Sequence, residues 1–412
     1  MLRLERFIGF LAGFLIEMNI LVGGSGGAAE TGGYGYRITD FFSVVCVLLL
    51  TTRVYNANRI VSMTLYSVAV AVMFVPQMLS SEVRTSIFAL HYLLYCFSGL
   101  YVCLLISENP FPFCTGLIAG LACTLPIFLL QDSKIPLAQL SNWGLAPAYR
   151  PDLNEIAREM PRYAGLWSHP NEVGHVAALG GPAGAYWYLA RRKALPLIIV
   201  VICLLATFLF CWSRGGLVSG FSVIAIALLW PKDGRIGSTQ VVGVVIVGLA
   251  ALLVTQLDFI SARFTSDQNF EGNISERLET ILQGFRLVLT NPIGLSVDDY
   301  MSALDALTGG VKSPHNGFLF FGAVFGVLPV VALIYAMIVN LRPREPSDLF
   351  FMLLTIQVLV TFQFEQVSAS YGYILVICLL MAKAFIRSEV GAVLMQPSRP
   401  PAPVAISAQG GT

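Results

Sequence analysis

Two short segments carry the side chains best suited to chemistry. Ser213-Arg214-Gly215-Gly216 lies between two apolar stretches, and Pro314-His315-Asn316 opens another far downstream. A guanidinium binds phosphate oxygens through two parallel charge-assisted hydrogen bonds, a geometry that a lysine ammonium does not reproduce. A neutral imidazole titrates near pH 7 and can take a proton as a general base. Held together at one aqueous boundary of a membrane, the pair points to chemistry on a lipid-anchored, phosphorylated substrate. Each residue also has a plainer reading: Arg214 as an interfacial anchor, His315 as a hydrogen-bonded interfacial histidine. Gly215 and Gly216 allow backbone or ligand to approach closely.

Further candidates flank these two. A long polar segment ends in Arg162-Tyr163-Ala164-Gly165 and, shortly after, Pro170-Asn171-Glu172. Its cations Arg150, Arg158 and Arg162 are balanced by Asp152, Glu155 and Glu159, and charge-balanced loops are commonly just solvated. Carboxylates open as an alternative base are Glu17, Asp298, Asp299, Asp305 and Glu365, the last in a tight turn between the final two apolar runs. His91 is expected to pack against a helix partner, and His169 and His175, which flank Asn171, are read as structural. No Asp-x-Asp falls in an outer loop and no Cys/His cluster has metal spacing, so no metal and no cofactor is expected.

The elements that must position these residues are membrane helices. The chain has 412 residues, of which 56% are hydrophobic and 12% charged. Soluble domains carry about 25% charged residues, so the balance is that of an all-α polytopic membrane protein. A net charge of +1 argues against nucleic acid as a partner. Twelve apolar runs approach the ~20 residues a helix needs to cross the bilayer. They are Phe7–Val22, Ile38–Thr52, Ile60–Met78, Ser86–Ser107, Phe113–Leu130, Gly174–Ala190, Ala194–Trp212, Leu217–Trp230, Val241–Leu257, Phe318–Val339, Leu349–Phe364 and Tyr371–Ile386.

Orientation follows from lysine and arginine in the short loops. With the N-terminus inside, the inner side receives Arg3, Arg6, Arg53, Arg59, Arg191, Arg192, Lys193, Lys232, Arg235, Arg342, Arg344, Lys383 and Arg387. The short outer loops hold little beyond Arg37, Arg84 and Arg214. Both termini are therefore expected in the cytoplasm, with Arg214 and His315 on the opposite side. The first run resembles a signal peptide, but Glu17 interrupts it, and an uncleaved first span fits the count better. All eight cysteines fall in or beside apolar runs and read as small apolar filler.

Two outer loops, 131–173 and 258–317, are long enough to fold, and loops of that size are commonly functional. The second should contain a helix from Ile274 to Leu289, with Asn273 as N-cap and Glu276 completing a capping box. Ile274, Leu278, Ile281, Leu282, Phe285 and Leu289 form its apolar stripe, which would lie against lipid or the bundle at the membrane surface. Arg277 falls in its first turn, and Asn291-Pro292 stops it. Residues 1–395 read as one membrane domain, and 396–412, with Pro397, Pro400, Pro401 and Pro403, as a disordered cytoplasmic tail.

Together these segments resemble the O-antigen ligase and Wzy-type polymerase superfamily of bacterial envelope glycosyltransferases. Arg162, Gly165 and Pro170-Asn171 look like its arginine, glycine, proline-asparagine pattern before a span. Ser213-Arg214-Gly215 looks like its Ser-Arg-Gly segment. Ser275-Glu276-Arg277, a helix and Asn291-Pro292-Ile293-Gly294 look like its arginine, amphipathic helix and Pro-x-Gly run. His315-Asn316, nine residues and Gly326 match the ligase His-Asn pattern, although Pro329 stands where Gly, Thr or Tyr is expected.

The resemblance implies metal-independent, inverting transfer of a glycan from undecaprenyl diphosphate to a sugar hydroxyl at the periplasmic face of the inner membrane. By carry-over, His315 activates or positions the acceptor, while Arg214 and Arg277 hold the diphosphate. Arg162, Asn171, Asn316 and Glu365 would help bind substrate. Implied partners are the lipid-linked donor, a glycan or lipid-linked acceptor, the bilayer and other polysaccharide-assembly proteins. Polymerase and ligase both stay open, with polymerase slightly favoured by the imperfect His-Asn pattern. A twelve-helix secondary transporter or exporter is the reading from a different class.

Overall fold

Inside a bilayer no water is available to satisfy peptide groups, so an apolar run closes its hydrogen bonds within itself as a helix. The computed structural model describes residues 2–18, 20–23, 36–51, 57–74, 77, 83–132, 163–167, 170–230, 270–308, 316–363 and 371–387. The described residues are helical apart from turns and one two-stranded pair. The helices of the first half are α1 (Leu2–Glu17), α2 (Ile38–Thr51), α3 (Ala57–Met73), α4 (Val83–Glu108), α5 (Phe111–Asp132), α6 (Pro170–Ala177) and α7 (Gly180–Arg191). Those that follow are α8 (Ala194–Cys211), α9 (Arg214–Leu229), α10 (Phe270–Thr290), α11 (Val297–Thr308), α12 (Gly317–Phe325), α13 (Val327–Asn340), α14 (Asp348–Thr361) and α15 (Tyr371–Arg387).

Stretches of α4, α5 and α8 (Leu90–Glu108, Phe111–Gln131 and Ala194–Cys211) are long and apolar enough to cross a membrane. Ile38–Thr51, Arg214–Leu229, Val327–Asn340 and Asp348–Thr361 are shorter apolar helices. The run expected at Val241–Leu257 and the tail 396–412 lie outside the described residues.

The structure corrects several boundaries. The first helix runs Leu2–Glu17 rather than Phe7–Val22, because the backbone after Glu17 leaves the helix for a strand. Leu21–Gly23 (β1) pairs antiparallel with Tyr36–Arg37 (β2), a five-residue exception in an otherwise all-helical fold. The run expected at Gly174–Ala190 is the pair α6 and α7. There Leu179 N donates to Val176 O at 2.8 Å, a tightened turn of the three-residue kind. The run expected at Phe318–Val339 is likewise broken, into α12 and α13, by Gly326 at φ 93°. In the second long loop the helix begins at Phe270, so Asn273 lies inside it and is not the N-cap. A further helix, α11, went unforeseen.

Packing between α1 and α5 depends on paired small residues. Gly9 and Gly13 recur at four-residue spacing on α1, and Gly116 and Gly120 do so on α5. A Cβ at Gly116 would lie 1.9 Å from the Phe10 carbonyl oxygen, and one at Gly13 would lie 2.2 Å from that of Phe113. Backbones that close leave no room for any side chain, the small-xxx-small mode of membrane helix pairing. Helix α4 packs between α2 and α15, while α7 reaches α5, α8, α9 and α14.

Charge gathers at one end of the bundle. Asp348 binds Lys383 at 2.8 Å and Arg387 at 3.5 Å, with all three side chains largely buried. Lys383 also donates to Ser107 Oγ at 3.3 Å and sits 5.0 Å over the Phe351 ring. Arg387 donates to the carbonyls of Val339 and Arg342. A cleft beside this cluster is lined by Glu5, Arg6, Glu108, Arg191 and Glu345. The start of α1, the ends of α4, α7 and α15, and the start of α14 therefore share this basic end.

Candidate functional site

Following each helix away from the basic end brings the motif residues to the opposite one. A two-residue turn joins α8 to α9. Trp212 closes α8 in the left-handed region at φ 56°, and its N–H donates to Phe208 O at 2.8 Å. Few non-glycine residues adopt that conformation, and here the Trp212 ring packs edge-on against Phe208 at 5.9 Å. Ser213 then caps α9, its Oγ accepting from Gly216 N at 3.3 Å. Arg214 is thus the first residue of α9, and it is exposed.

The turn is pinned to α6. Ser213 Oγ donates to the Asn171 carbonyl at 3.4 Å. A Cβ at Gly216 would fall 2.3 Å from the Gly174 carbonyl carbon, and one at Gly174 would fall 2.2 Å from Ser213 Cβ. Gly216 therefore serves backbone-to-backbone contact. Asn171 lies in the first turn of α6, partly exposed.

A chain of buried contacts leads from α6 to the second motif. Tyr373 Oη donates to the His175 carbonyl at 2.9 Å and lies 2.9 Å from Thr361 Oγ1. Gln357 Nε2 donates to the same Thr361 oxygen at 3.2 Å. The next residue, Phe362, accepts from Gly317 N at 2.9 Å and meets the Phe318 ring edge-on at 5.1 Å. Asn316 caps α12: its Oδ1 accepts from Leu319 N at 3.0 Å. Arg214, Asn171 and Asn316 thus belong to one connected end of the bundle.

The loop before α6 joins the same end. Tyr163 N donates to Phe210 O at 3.0 Å, in the last turn of α8. Gly165, at φ 60°, exchanges two hydrogen bonds with the Gln131 side chain, at 2.9 and 3.1 Å. Arg162, His169, His315 and Glu365 lie outside the described residues, as does the side chain of Arg277 in α10.

Two motif glycines meet elsewhere. Gly294 has φ 101° and Gly326 φ 93°. A Cβ at Gly326 would lie 2.4 Å from Ile293 O, and one at Gly294 would lie 2.6 Å from Val324 O. The Pro-x-Gly run and the glycine ten residues after Asn316 are therefore two sides of one backbone contact. Val327 N completes it by donating to Pro292 O at 2.9 Å.

Electrostatically, this end combines the Arg214 guanidinium with the N-termini of α6, α9 and α12. The Gly216 and Leu319 N–H groups are taken by the caps and that of Gly317 by Phe362, but each helix start still carries about half a positive charge that favours a nearby anion. Of the alternative carboxylates, Glu365 and the side chain of Asp298 lie outside the described residues, and Asp305 is exposed on α11. Glu17 is buried, 1% exposed, against Gly120. Asp299 accepts from Ser296 Oγ at 2.5 Å at the start of α11. His91 lies 4.0 Å from Asp40, which also accepts from the Tyr95 hydroxyl, within the α2–α4 contact. His175 is buried, and the cysteines are free thiols, all buried except Cys123.

Reading the residues missed Gln131, Thr361, Phe362 and Tyr373, which hold the motif segments together. The available signal was polar side chains inside apolar runs, which are costly there unless bonded. No protein-family model matches the chain, and no curated protein matches it.

Proposed function

We propose that this protein transfers a glycan from a polyprenyl-diphosphate donor to a sugar hydroxyl at the membrane face that holds Arg214. One observation carries the reading: the exposed Arg214 opens a helix whose start is pinned to that of α6, at the same end of the bundle as the start of α12 and opposite the basic cluster. A departing diphosphate develops negative charge, and fixed donors and dipoles aimed at it lower the barrier without reorganisation. The acceptor oxygen forms the new bond to the anomeric carbon as the carbon–oxygen bond to phosphate breaks. His315 receives the acceptor's proton, and Arg214 and Arg277 stabilise the diphosphate. Arg162, Asn171, Asn316 and Glu365 line the substrates. The reaction inverts the anomeric centre and uses no metal.

In this reading the chain has twelve spans in a bacterial inner membrane, both termini in the cytoplasm and the site in the periplasm. The enzyme belongs with the O-antigen ligases and Wzy-type polymerases, and we favour a polymerase. A secondary transporter draws support from the two broken helices, since such proteins bind substrate at discontinuous spans. Those breaks fall in the sixth and tenth of the expected runs, which are not matching positions of two halves, so transport ranks second.

The test is the surface polymer of the host. Deletion leaving single repeat units indicates a polymerase, loss of core-attached polymer a ligase, and an unchanged polymer rejects both. In purified protein, Arg214→Ala should lower turnover about 10- to 100-fold, the equivalent of one charged hydrogen bond of about 1.5–3 kcal/mol. Arg214→Lys should rescue little, because a point charge lacks the planar fork.

A further inference from the structure

The segment from α10 into α13 divides its surface in a way that a soluble loop has no reason to adopt. Around α10 there are three sectors. Thr280, Gly284 and Leu287 face the bundle and are buried, with Leu287 5% exposed and packing toward α12. Glu279, Arg286 and Thr290 form an exposed polar sector. Leu278, Leu282, Phe285 and Leu289 form an exposed apolar one, with Leu282 at 60% and Leu289 at 63%.

The apolar sector does not end with the helix. Ile293, in the following turn, is 69% exposed, and its carbonyl abuts Gly326. Just beyond Gly326, α13 continues with Leu328, 70% exposed, then Val331, Ile334, Tyr335 and Ile338. Exposed apolar side chains therefore follow one another on α10, on the turn and, past the Ile293–Gly326 contact, on α13, one of the apolar helices.

Depth follows from helix geometry. Gly326 lies ten residues into the run that starts at Asn316, about 15 Å at 1.5 Å per residue. That is roughly half of a hydrocarbon core of about 30 Å. Irregular backbone at such depth needs partners from the protein itself. The turn has them: Leu295 N donates to Ala323 O at 2.8 Å, and Gln77 Nε2 donates to both Leu295 O and Val324 O, at 3.0 and 3.1 Å.

We propose that the C-terminal half of α10 and the turn 291–296 form a re-entrant element seated in the leaflet at the Arg214 end, its apolar strip in contact with phospholipid acyl chains. The polar sector then faces the aqueous side, and the element walls that side off from lipid. This requires only that the bundle spans a membrane, so it stands or falls separately from glycan transfer.

The test uses the unmodified full-length chain in vesicles of phosphatidylethanolamine and phosphatidylglycerol doped with a phospholipid carrying a diazirine at its acyl terminus. After illumination, lipid adducts are mapped by mass spectrometry. Residues 328–338 of α13 serve as the internal positive control. The expected result is adducts on residues 278–293 in yield equal to those on 328–338. Adducts on 328–338 with none on 278–293 overturn the proposal. An absence of lipid adducts on 278–293, together with a cross-link to 241–257 from a photoactivatable residue placed at Leu282 in a second preparation, would overturn it as well, by assigning the strip to the chain's own ninth apolar run.

Discussion

Asn316 caps α12 and, on the proposed function, also touches substrate; one substitution separates the two roles. Its Oδ1 caps α12, and removing a cap costs about 0.5–2 kcal/mol. Asn316→Ala should therefore lower thermal stability and turnover together, whereas Asn316→Ser should restore stability through a hydroxyl cap. If Ser restores melting but not turnover, the amide also touches substrate; recovery of both leaves it as a positioning residue. Its neighbour His315 carries the sharper expectation. A positioned base contributes 10²–10⁴-fold, so His315→Ala should nearly abolish transfer while donor binding persists. The rate in reconstituted protein should fall on the acid side with a limb near ~6.5, where imidazole is protonated and can no longer accept. Wild-type turnover in His315→Ala, or a limb in the carboxylate range, would remove histidine from the role.

At the scale of elements, apolar runs and helices agree closely, as α2, α8, α14 and α15 illustrate. Hydrophobic length is a local property and so can be read along the chain. Breaks are not local. Gly326 reads as a motif glycine inside a continuous apolar run, and nothing local shows that Ile293, more than thirty residues upstream, occupies the place of its missing side chain. Likewise, Gly216 left backbone and ligand both open as its neighbour, and only the fold brings the Gly174 backbone against it. The apolar stripe of α10 was legible, but not that it turns outward while Thr280 and Gly284 face the bundle. The α1–α5 seam gives the clearest element-scale prediction. Gly116→Ala places a methyl group where the Phe10 carbonyl sits and should cost about 1–3 kcal/mol or more. Gly9→Ala, whose Cβ first meets Pro112 at 3.5 Å, should be tolerated. Thermal unfolding in detergent compares the two, and equal midpoints would mean that the seam is looser than the structure has it.

At the scale of the whole molecule, the two ends differ in kind. One holds Arg6, Arg191, Lys193, Lys383 and Arg387; the other holds capped helix starts and the exposed Arg214. The positive-inside rule then gives a sidedness that can be measured. Periplasmic reporters fused at Asn142 and Thr308 should be active, and cytoplasmic reporters at the same points silent. The reverse at either point would put Arg214 on the wrong side for the proposed reaction. The α1–α5 seam also constrains how the molecule is made. Gly13 waits for Gly116 about a hundred residues later, with α2, α3 and α4 between them. At about 5–20 residues per second of synthesis, α1 spends roughly 5–20 s in the membrane with its glycine face unmatched. During that interval the nascent chain depends on lipid or the insertion machinery to keep that face from the wrong helix.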